Sequence, residues 1–383
     1  MDMSKPLTLL SLMSGTSADG VDAVLARFEQ DDTEDKLRWE IIDRLSLPYK
    51  PELRERVLAC LKVESSNILL LTEVHAEVGR AYADLVREMQ TNHSFDAVAL
   101  SGQTVYHIPR VDPAMNWQTL GTLQLGEAAI VTEACNIPVV SDFRQSDMAA
   151  GGQGAPMVSF GDYKLFSEAG RARTVHNLGG ISNLTYLPAN GEAERVFAFD
   201  TGPANCIVDE AVKKYYGLEY DKDGRIAASG QAHAPTLERL MQHPYLRLDL
   251  PKTTGRETFT LSELTAYLTD DVAAEDLVAT LIAFTAHSVT AAYEHYVLDK
   301  GLDEIIVAGG GALNPVLMGH LRELLPVPVA TFEDLGYQSR DREALAFGVM
   351  AYFRWLERPN TLPSATGARR AVVAGKVSVP PSH

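Results

Sequence analysis

One order of elements occurs twice in this chain, and it constrains the fold more than any other feature. Strand-like runs Leu7 to Met13 and Val21 to Phe28 flank the turn Ser14-Gly15-Thr16-Ser17-Ala18-Asp19-Gly20, and a third, Trp39 to Leu47, follows. Further on, Arg173 to Asn177, the turn Leu178-Gly179-Gly180-Ile181-Ser182-Asn183, Leu184 to Leu187 and Val196 to Asp200 repeat that order, and a helical stretch, Ala204 to Tyr216, closes it. Apolar runs of this length bounded by Gly, Asp and Asn are strand signals. Asp19-Gly20 between two such runs predicts a hairpin, because both residue types tolerate the positive φ of a tight turn. A plan that recurs within 383 residues, a length at which one core has stopped growing, predicts two α/β domains of similar architecture.

The remaining elements fit this plan. Helical patterns cover Pro51 to Val63, Asn67 to Gln90, Glu127 to Cys135, Pro315 to Leu325 and Arg342 to Leu356; strands are expected at Ala97 to Ser101, Trp117 to Gln124, Ile137 to Ser141 and Glu304 to Ala308. The expected division is a first domain over 1–140, completed by a C-terminal helix within 341–383, and a second over 141–340. Val278 to Tyr293 lacks Asp, Glu, Lys and Arg and reads as a buried interdomain helix, with His287 as a core residue.

The charge balance narrows the partners. Lys and Arg number 34 against 51 Asp and Glu, a formal net charge of −17. Such a surface repels nucleic acids and anionic membranes, so a phosphorylated ligand has to be held locally by backbone amides, a metal ion or a few placed cations. No run is long enough to span a bilayer, and Leu7 to Met13 is too short for a signal-peptide core. The three cysteines, Cys60, Cys135 and Cys206, are widely spaced and form no C-x-x-C pair, which suits buried thiols in a reducing cytoplasm.

Glycine turns meet the need for local anion binding, since successive N–H groups can point into one concavity without side-chain bulk. Three candidates stand at Gly15 to Gly20, Gly179-Gly180 and Gly309-Gly310-Gly311. The first adds the hydroxyls of Ser14, Thr16 and Ser17, and a carboxylate, Asp19, able to hold a Mg²⁺ ion through water. The third lies between the apolar run Ile305 to Ala308 and a helix capped near Asn314, where bare backbone suits an adenine ring or ribose. No G-x-x-x-x-G-K-[ST] run occurs, no G-x-G-x-x-G opens a helix after a strand, and no kinase H-R-D and D-F-G set is present. P-loop, ordinary dinucleotide and protein-kinase readings therefore lose their footing.

Asp200 ends an apolar strand just before Gly202-Pro203 and a helix start. There it suits a base that takes a proton from a hydroxyl or a water, or equally an N-cap for that helix, a role Thr201 shares. Arg144, within Asp142-Phe143-Arg144-Gln145-Ser146-Asp147, offers a fork that could clamp a carboxylate; the plainer reading is a solvated turn with an internal ion pair. Gln103 and Thr104 stand where a strand should end and suit hydrogen bonds to a ligand, while His107 is as readily a satisfied loop histidine. Glu343 at a helix start is either a ligand contact or a favourable first-turn charge.

Taken together, these runs resemble the anhydro-N-acetylmuramic acid kinase family. The resemblance rests on Met13-Ser14-Gly15-Thr16-Ser17-Ala18-Asp19-Gly20-Val21-Asp22, Gly102-Gln103-Thr104, Thr122-Leu123-Gln124-Leu125-Gly126-Glu127 and Asp142-Phe143-Arg144 through Ala155-Pro156. It continues through Asn177-Leu178-Gly179-Gly180-Ile181-Ser182-Asn183, Phe199-Asp200-Thr201-Gly202-Pro203 and Gly309 to Asn314, and reaches Leu362 to Ala368, nearly the whole chain. It implies a two-domain actin-like, hexokinase-like ATPase fold closing on ATP and Mg²⁺. It also implies a reaction in which water opens the 1,6-anhydro bridge of the sugar while O6 takes the γ-phosphoryl of ATP, giving N-acetylmuramic acid 6-phosphate for peptidoglycan recycling.

By resemblance Asp200 is the base for the attacking water. ATP is expected on Ser14, Gly15, Thr16, Ser17, Ala18, Asp19, Gly20, Val21, Gly179, Gly180, Asn183, Gly309, Gly310, Gly311 and Asn314. The sugar is expected on Arg144, with Gln103, Thr104, Asp147 and Glu343 as lesser contacts. Two positions depart from the family pattern: Leu100-Ser101-Gly102-Gln103-Thr104 lacks the His of the usual Ser-His-Gly-Gln-Thr, and Ala18 stands where Leu is common. Two other readings stay open: a kinase of the same fold for another sugar or an acyl substrate, and an actin- or chaperone-type ATPase. The oligomeric state is open as well, a homodimer included.

Overall fold

A meander opens each half of the chain. Strands β1 (Leu7–Ser14), β2 (Gly20–Asp31) and β3 (Lys36–Pro48) run antiparallel in sequence; β4 (Ala97–Ile108) then joins β1 in parallel, β5 (Gly121–Leu125) folds back along the far part of β4, and β6 (Val139–Ser141) lies parallel to β4. In the second half β7 (Arg173–Leu178), β8 (Ile181–Leu187) and β9 (Phe197–Pro203) form the meander, β10 (Glu304–Ala308) pairs parallel with β7, and β11 (Val329–Thr331) with β10. The last strand, β12 (Lys376–Ser378), pairs with β6. The shared spatial order is β6-β4-β1-β2-β3 in one sheet and β11-β10-β7-β8-β9 in the other. With β5, an addition paired with β4, left out of the count, each half reads fifth, fourth, first, second, third in its own chain order, which is the repeat the sequence announces.

This computed structural model describes residues 6–15, 17–31, 36–268 and 272–381. Two units separate: Met1–Leu165 with Arg340–His383, and Phe166–Ser339. The first unit thus runs beyond the expected boundary at 140. The reason is packing onto the returning C-terminal segment: Phe143 lies tilted against Phe347, Phe160 meets Phe353 edge-on, and Gly161 lies so close to Ala346 that a Cβ would stand 2.4 Å from its Cα.

In the first unit the helix Ile68–Gln90, capped by the Asn67 side chain, lays Val74, Val78, Tyr82, Leu85 and Val86 on Leu10, Leu12, Val98 and Leu100. The i, i+4 spacing of those helix residues and the i, i+2 spacing of the strand residues are the periods that put both sets on facing surfaces. The helix Asp341–Trp355 packs on β1, β2 and β4, with Gly348 leaving room for Ser11 and the Phe28 ring. In the second unit the helices Asn205–Tyr216 and Ala274–Tyr296 share one core with Leu178, Leu184, Phe199, Ile305 and Val307. The charge-free stretch is therefore a core helix of one unit, not an interdomain element. Among the described residues no helix is long and apolar enough to cross a membrane.

Two turn expectations change. The left-handed residue in the first hairpin is Ala18, at φ 52°, while Gly20 opens β2 and is needed for space: a Cβ there would stand 2.2 Å from the Leu47 carbonyl oxygen. The polar run after Ser101 does not end its strand; β4 continues to Ile108, paired with β5 across a register shift between Thr104 and Tyr106.

Candidate functional site

The second unit brings two of the three glycine turns together. Gly179 and Gly180 link β7 to β8, and the turn after β10 lies against them: a Cβ on Gly309 would meet Asn177 Oδ1 and the Leu178 carbonyl oxygen at 2.7 Å, and one on Gly311 would meet Leu178 Cβ at 2.7 Å. Glycine is required at both for backbone approach, and at Gly309 also for its φ of 89°. The Gly179 and Gly180 carbonyls accept the Asn205, Ala204 and Cys206 amides, so the first amides of the helix Asn205–Tyr216 are already engaged. Beside the turns opens a cavity of about 430 Å³ lined by Asn205, Val208, Asp209, Tyr220, Gly310 and Asn314, among others. Asn314 caps the helix Pro315–Leu324, its Oδ1 accepting the Val316 and Leu317 amides, so its oxygen is used in the fold.

Asp200 lies on β9, opposite Asn183 on β8. The N-cap alternative fails: the helix Asn205–Tyr216 has no side-chain cap, and the Asp200 carboxylate accepts the Thr254 amide at 2.8 Å instead. Its amide donates to the Lys252 carbonyl at 3.2 Å and its carbonyl accepts the Tyr245 hydroxyl at 2.8 Å. Burial pushes its pKa up to about 7, although the Thr254 amide and the Lys252 charge both pull it down. Beside it, Thr201 belongs to a buried chain of hydrogen bonds through Ser182 and His176 to Tyr293 and Thr174. The carboxylate is thus held on a stiff strand by a loop that arrives from residues 245–254.

In the first unit the hairpin Gly15 to Gly20 borders a cavity of about 310 Å³ lined by Gly15, Ser17, Asp19, Gly20, Val21 and Asp22 with Ser46, Leu47 and Pro48. Asp19 is exposed and paired with Arg54 at 3.1 Å. Ser14 and Ala18 are not open to a ligand: the Ser14 hydroxyl is buried between the Tyr49 and Tyr82 hydroxyls, at 2.9 and 3.0 Å, and Ala18 is part of the core. Thr16 lies outside the described residues. Gln103 is fully buried and donates to the Gly15 carbonyl at 2.9 Å, so it braces this turn from β4, and its Oε1 has no hydrogen-bond partner among the described residues.

Arg144 opens the short helix Arg144–Ala149, donates to the Gly154 carbonyl at 2.7 Å, and feels the charges of Glu343 and Asp147. It is not a solvated surface turn. His107 lies near it, pushed down to about 4 by burial and by the Arg144 charge, hence a neutral imidazole, with Nδ1 3.0 Å from the Thr122 hydroxyl. Gln124 joins this group by donating to both Thr104 and Thr122. Burial raises the pKa of Glu343, while Arg342 and Arg144 oppose it. Asp147 behaves otherwise than expected: fully buried, it accepts the Gly154 amide at 2.9 Å and the Thr366 hydroxyl at 2.7 Å, leaving neither oxygen for a sugar. Its work is to tie the glycine-rich stretch after it to the C-terminal segment.

Residues 7–380 match the family model described as anhydro-N-acetylmuramic acid kinase. The chain belongs to that family. Enzymes named anhydro-N-acetylmuramic acid kinase from Bacillus thuringiensis subsp. konkukian (strain 97-27) and Bacillus cereus (strain Q1) are 37% and 35% identical, each covering 97% of this chain and 99% of its own. Among solved structures, the activator of the 2-hydroxyisocaproyl-CoA dehydratase from Clostridium difficile with bound ADPNP aligns over 92% of this chain and 96% of its own, at 13% identity and a TM-score of 0.44.

Within this anhydro-N-acetylmuramic acid kinase relative, three neighbours of the glycine turns and of Asp200 escape sequence reasoning. Lys252 lies in a loop and Arg256 opens a single 3-10 turn, Arg256–Thr258, neither within any sequence motif, and Asn205 reads only as a helix start. The Arg256 guanidinium lies against Gly180, its Nε 2.6 Å from where a Cβ would stand, and its charge acts on Asp209 in the adjoining cavity. The composition of 251–258, three threonines among one proline, one glycine and three charged residues, gives no sign that the loop folds back on β9.

Proposed function

We propose that this chain is an ATP-dependent phosphotransferase acting on an alcohol group, which opens 1,6-anhydro-N-acetylmuramic acid with water and phosphorylates O6 to give N-acetylmuramic acid 6-phosphate in cytoplasmic peptidoglycan recycling. The observation that carries the reading is Asp200, a desolvated carboxylate on the strand paired with the glycine hairpin, in a chain of the anhydro-N-acetylmuramic acid kinase family.

Asp200 takes a proton from water as the oxygen attacks C1. The C1–O6 bond breaks through an oxocarbenium-like state that the same carboxylate supports, and the freed O6 attacks the γ-phosphorus with ADP as leaving group. Phosphoryl transfer asks mainly for alignment and charge neutralisation. In the second unit the Gly179-Gly180 and Gly309-Gly311 turns supply backbone donors and the nearby cavity takes the nucleoside. Asn183, across from Asp200, and Arg256 stand close enough to these turns to serve the phosphates. In the first unit the Gly15 to Gly20 hairpin is the second phosphate turn, and Asp19 suits a Mg²⁺ ion held through water: one exposed carboxylate beside an open cavity matches a hard cation that keeps most of its water. Bound there, the ion neutralises phosphate charge. Arg144 clamps an anionic part of the sugar, the lactyl carboxylate being the one such group, with Thr104 and Glu343 beside it.

The test is ATP consumption with 1,6-anhydro-N-acetylmuramic acid against a panel of hexoses, run in ¹⁸O water. Label at C1 of the product is expected; unlabelled product, or equal turnover with ordinary hexoses, sinks the hydrolytic reading. Arg256→Ala is expected to raise KM for ATP about tenfold, the scale of one hydrogen bond to a charged group, with KM for the sugar unchanged; an unaltered KM for ATP removes Arg256 from the phosphate site.

A further inference from the structure

Lys252 is buried, only 4% exposed, yet it forms no ion pair among the described residues within contact distance of a carboxylate. Its ammonium sits in a box of three aromatic rings, 5.2 Å from the centroid of Tyr245, 5.1 Å from Tyr296 and 5.8 Å from Phe199, and its one hydrogen bond is a long one, 3.5 Å to the Leu246 carbonyl. Ring faces attract a cation but return far less than water does, so a lysine is retained in such a place only at a cost that another group must justify. Two walls of the box and the lysine's own backbone are tied to Asp200, while the third wall, Tyr296, packs edge-on against Phe199 and donates its hydroxyl to the Leu248 carbonyl. Phe199 precedes Asp200 in the chain, the Tyr245 hydroxyl donates to the Asp200 carbonyl, and the Lys252 carbonyl accepts the Asp200 amide.

We infer that Lys252 is a positioning residue for the reaction proposed above, a caged ammonium that supports the negative charge of Asp200 without occupying its oxygens. A direct ion pair would hold the carboxylate oxygens away from water; a cation kept at a distance by aromatic walls leaves them open to a nucleophile. The other groups that face Asp200 are the Thr254 amide on its Oδ2, Asn183 across the sheet, and Tyr245, whose hydroxyl donates to the Asp200 carbonyl; Tyr296, from the helix Ala274–Tyr296, acts on Tyr245 and is itself acted on by Asp249. Among these Lys252 is the cation, and both it and Asp200 feel the other's charge. This inference rests on Asp200 being the base.

The test is the pH profile of kcat/KM for the sugar in wild type, Lys252→Met and Lys252→Arg, beside a ¹³C NMR titration of the Asp200 carboxyl assigned with Asp200→Asn. A base must be ionised, so wild-type kcat/KM is expected to fall as pH drops through about 7. Methionine keeps the apolar stem and loses the charge; it is expected to move both the acidic limb and the NMR midpoint upward by about one pH unit, with arginine restoring them. A folded Lys252→Met whose limb and midpoint stay at the wild-type pH overturns the inference, even if activity falls uniformly. If Lys252→Met does not fold, Lys252→Gln is read by the same two measurements. Should wild type show no sugar-dependent turnover, the proposed function fails, and the NMR midpoint still decides whether Lys252 acts on Asp200.

Discussion

Asp200→Asn is expected to lower kcat by about 10³- to 10⁴-fold, the usual contribution of a positioned general base, and to leave ATP affinity nearly unchanged. The amide fills the same space and its oxygen can still accept the Thr254 amide at the position where the carboxylate does, so geometry survives while proton acceptance does not. The same substitution has a second expected signature that a mere loss of structure could not produce. The pKa of Asp200 is higher in the fold, about 7, than the 3.8 of a free aspartate, so its ionisation destabilises the native state. That penalty is absent below the unfolded value, grows as pH rises through the interval, and is complete above about 7. Asp200→Asn should therefore raise Tm at pH 8, and the gain should fade as pH falls toward 4. A variant that keeps near-normal kcat removes Asp200 as the base; one that is inactive and also less stable at pH 8 points to structural damage instead.

Asp162→Ala is the second large effect, and it is expected on stability. Asp162, on the helix Val158–Phe166, meets Arg342, at the start of the helix Asp341–Trp355, through Nε at 2.9 Å and Nη2 at 2.5 Å, with the two side chains 0% and 1% exposed. Removing the carboxylate strands a guanidinium away from water, and breaking a buried pair in this way costs about 3–5 kcal/mol. Replacing both partners at once with apolar residues of similar volume, Asp162→Leu with Arg342→Met, is expected to recover most of that loss. The denaturation midpoint of the first unit reads out both. Equal loss in the single and double variants would mean that helix packing, not the uncompensated charge, carries the effect.

How much of this was legible in the residues can be judged element by element. The two meanders were, because strand periods and Gly-bounded turns are local signals, and so were the glycine turns of the second unit as turns; that these two lie against each other is given by the parallel pairing of β7 with β10. The role of Gly20 was misread: local turn chemistry favoured positive φ, whereas the requirement comes from the Leu47 carbonyl, a contact from a strand farther along the chain. Ser14 and Asp147 carry polar atoms that looked available and are consumed inside the fold, by tyrosines 35 and 68 residues away and by Thr366, whereas the cap expected near Asn314 is found on Asn314 itself. Lys252 and Arg256 were invisible for the converse reason. Their importance is given by a loop that returns to β9 through backbone hydrogen bonds, and no residue pattern announces such a return.

The interleaving of the units also fixes an order of events. Residues 166–339 are one uninterrupted stretch, whereas the sheet of the first unit lacks a cover on one face until 340–383 exists. The Gln30 amide, for instance, donates to the Tyr352 hydroxyl at 2.9 Å across a span of 322 residues. At the ordinary pace of synthesis, about 5–20 residues per second, the ribosome spends roughly 10–35 s making the intervening stretch. Throughout that interval the face of β1, β2 and β4 that the helix Asp341–Trp355 covers is bare, and at its end the second unit has its whole chain while the first does not. The unit that begins first is thus the one finished last, and its uncovered sheet is the part of this protein most in need of protection from self-association while the chain grows.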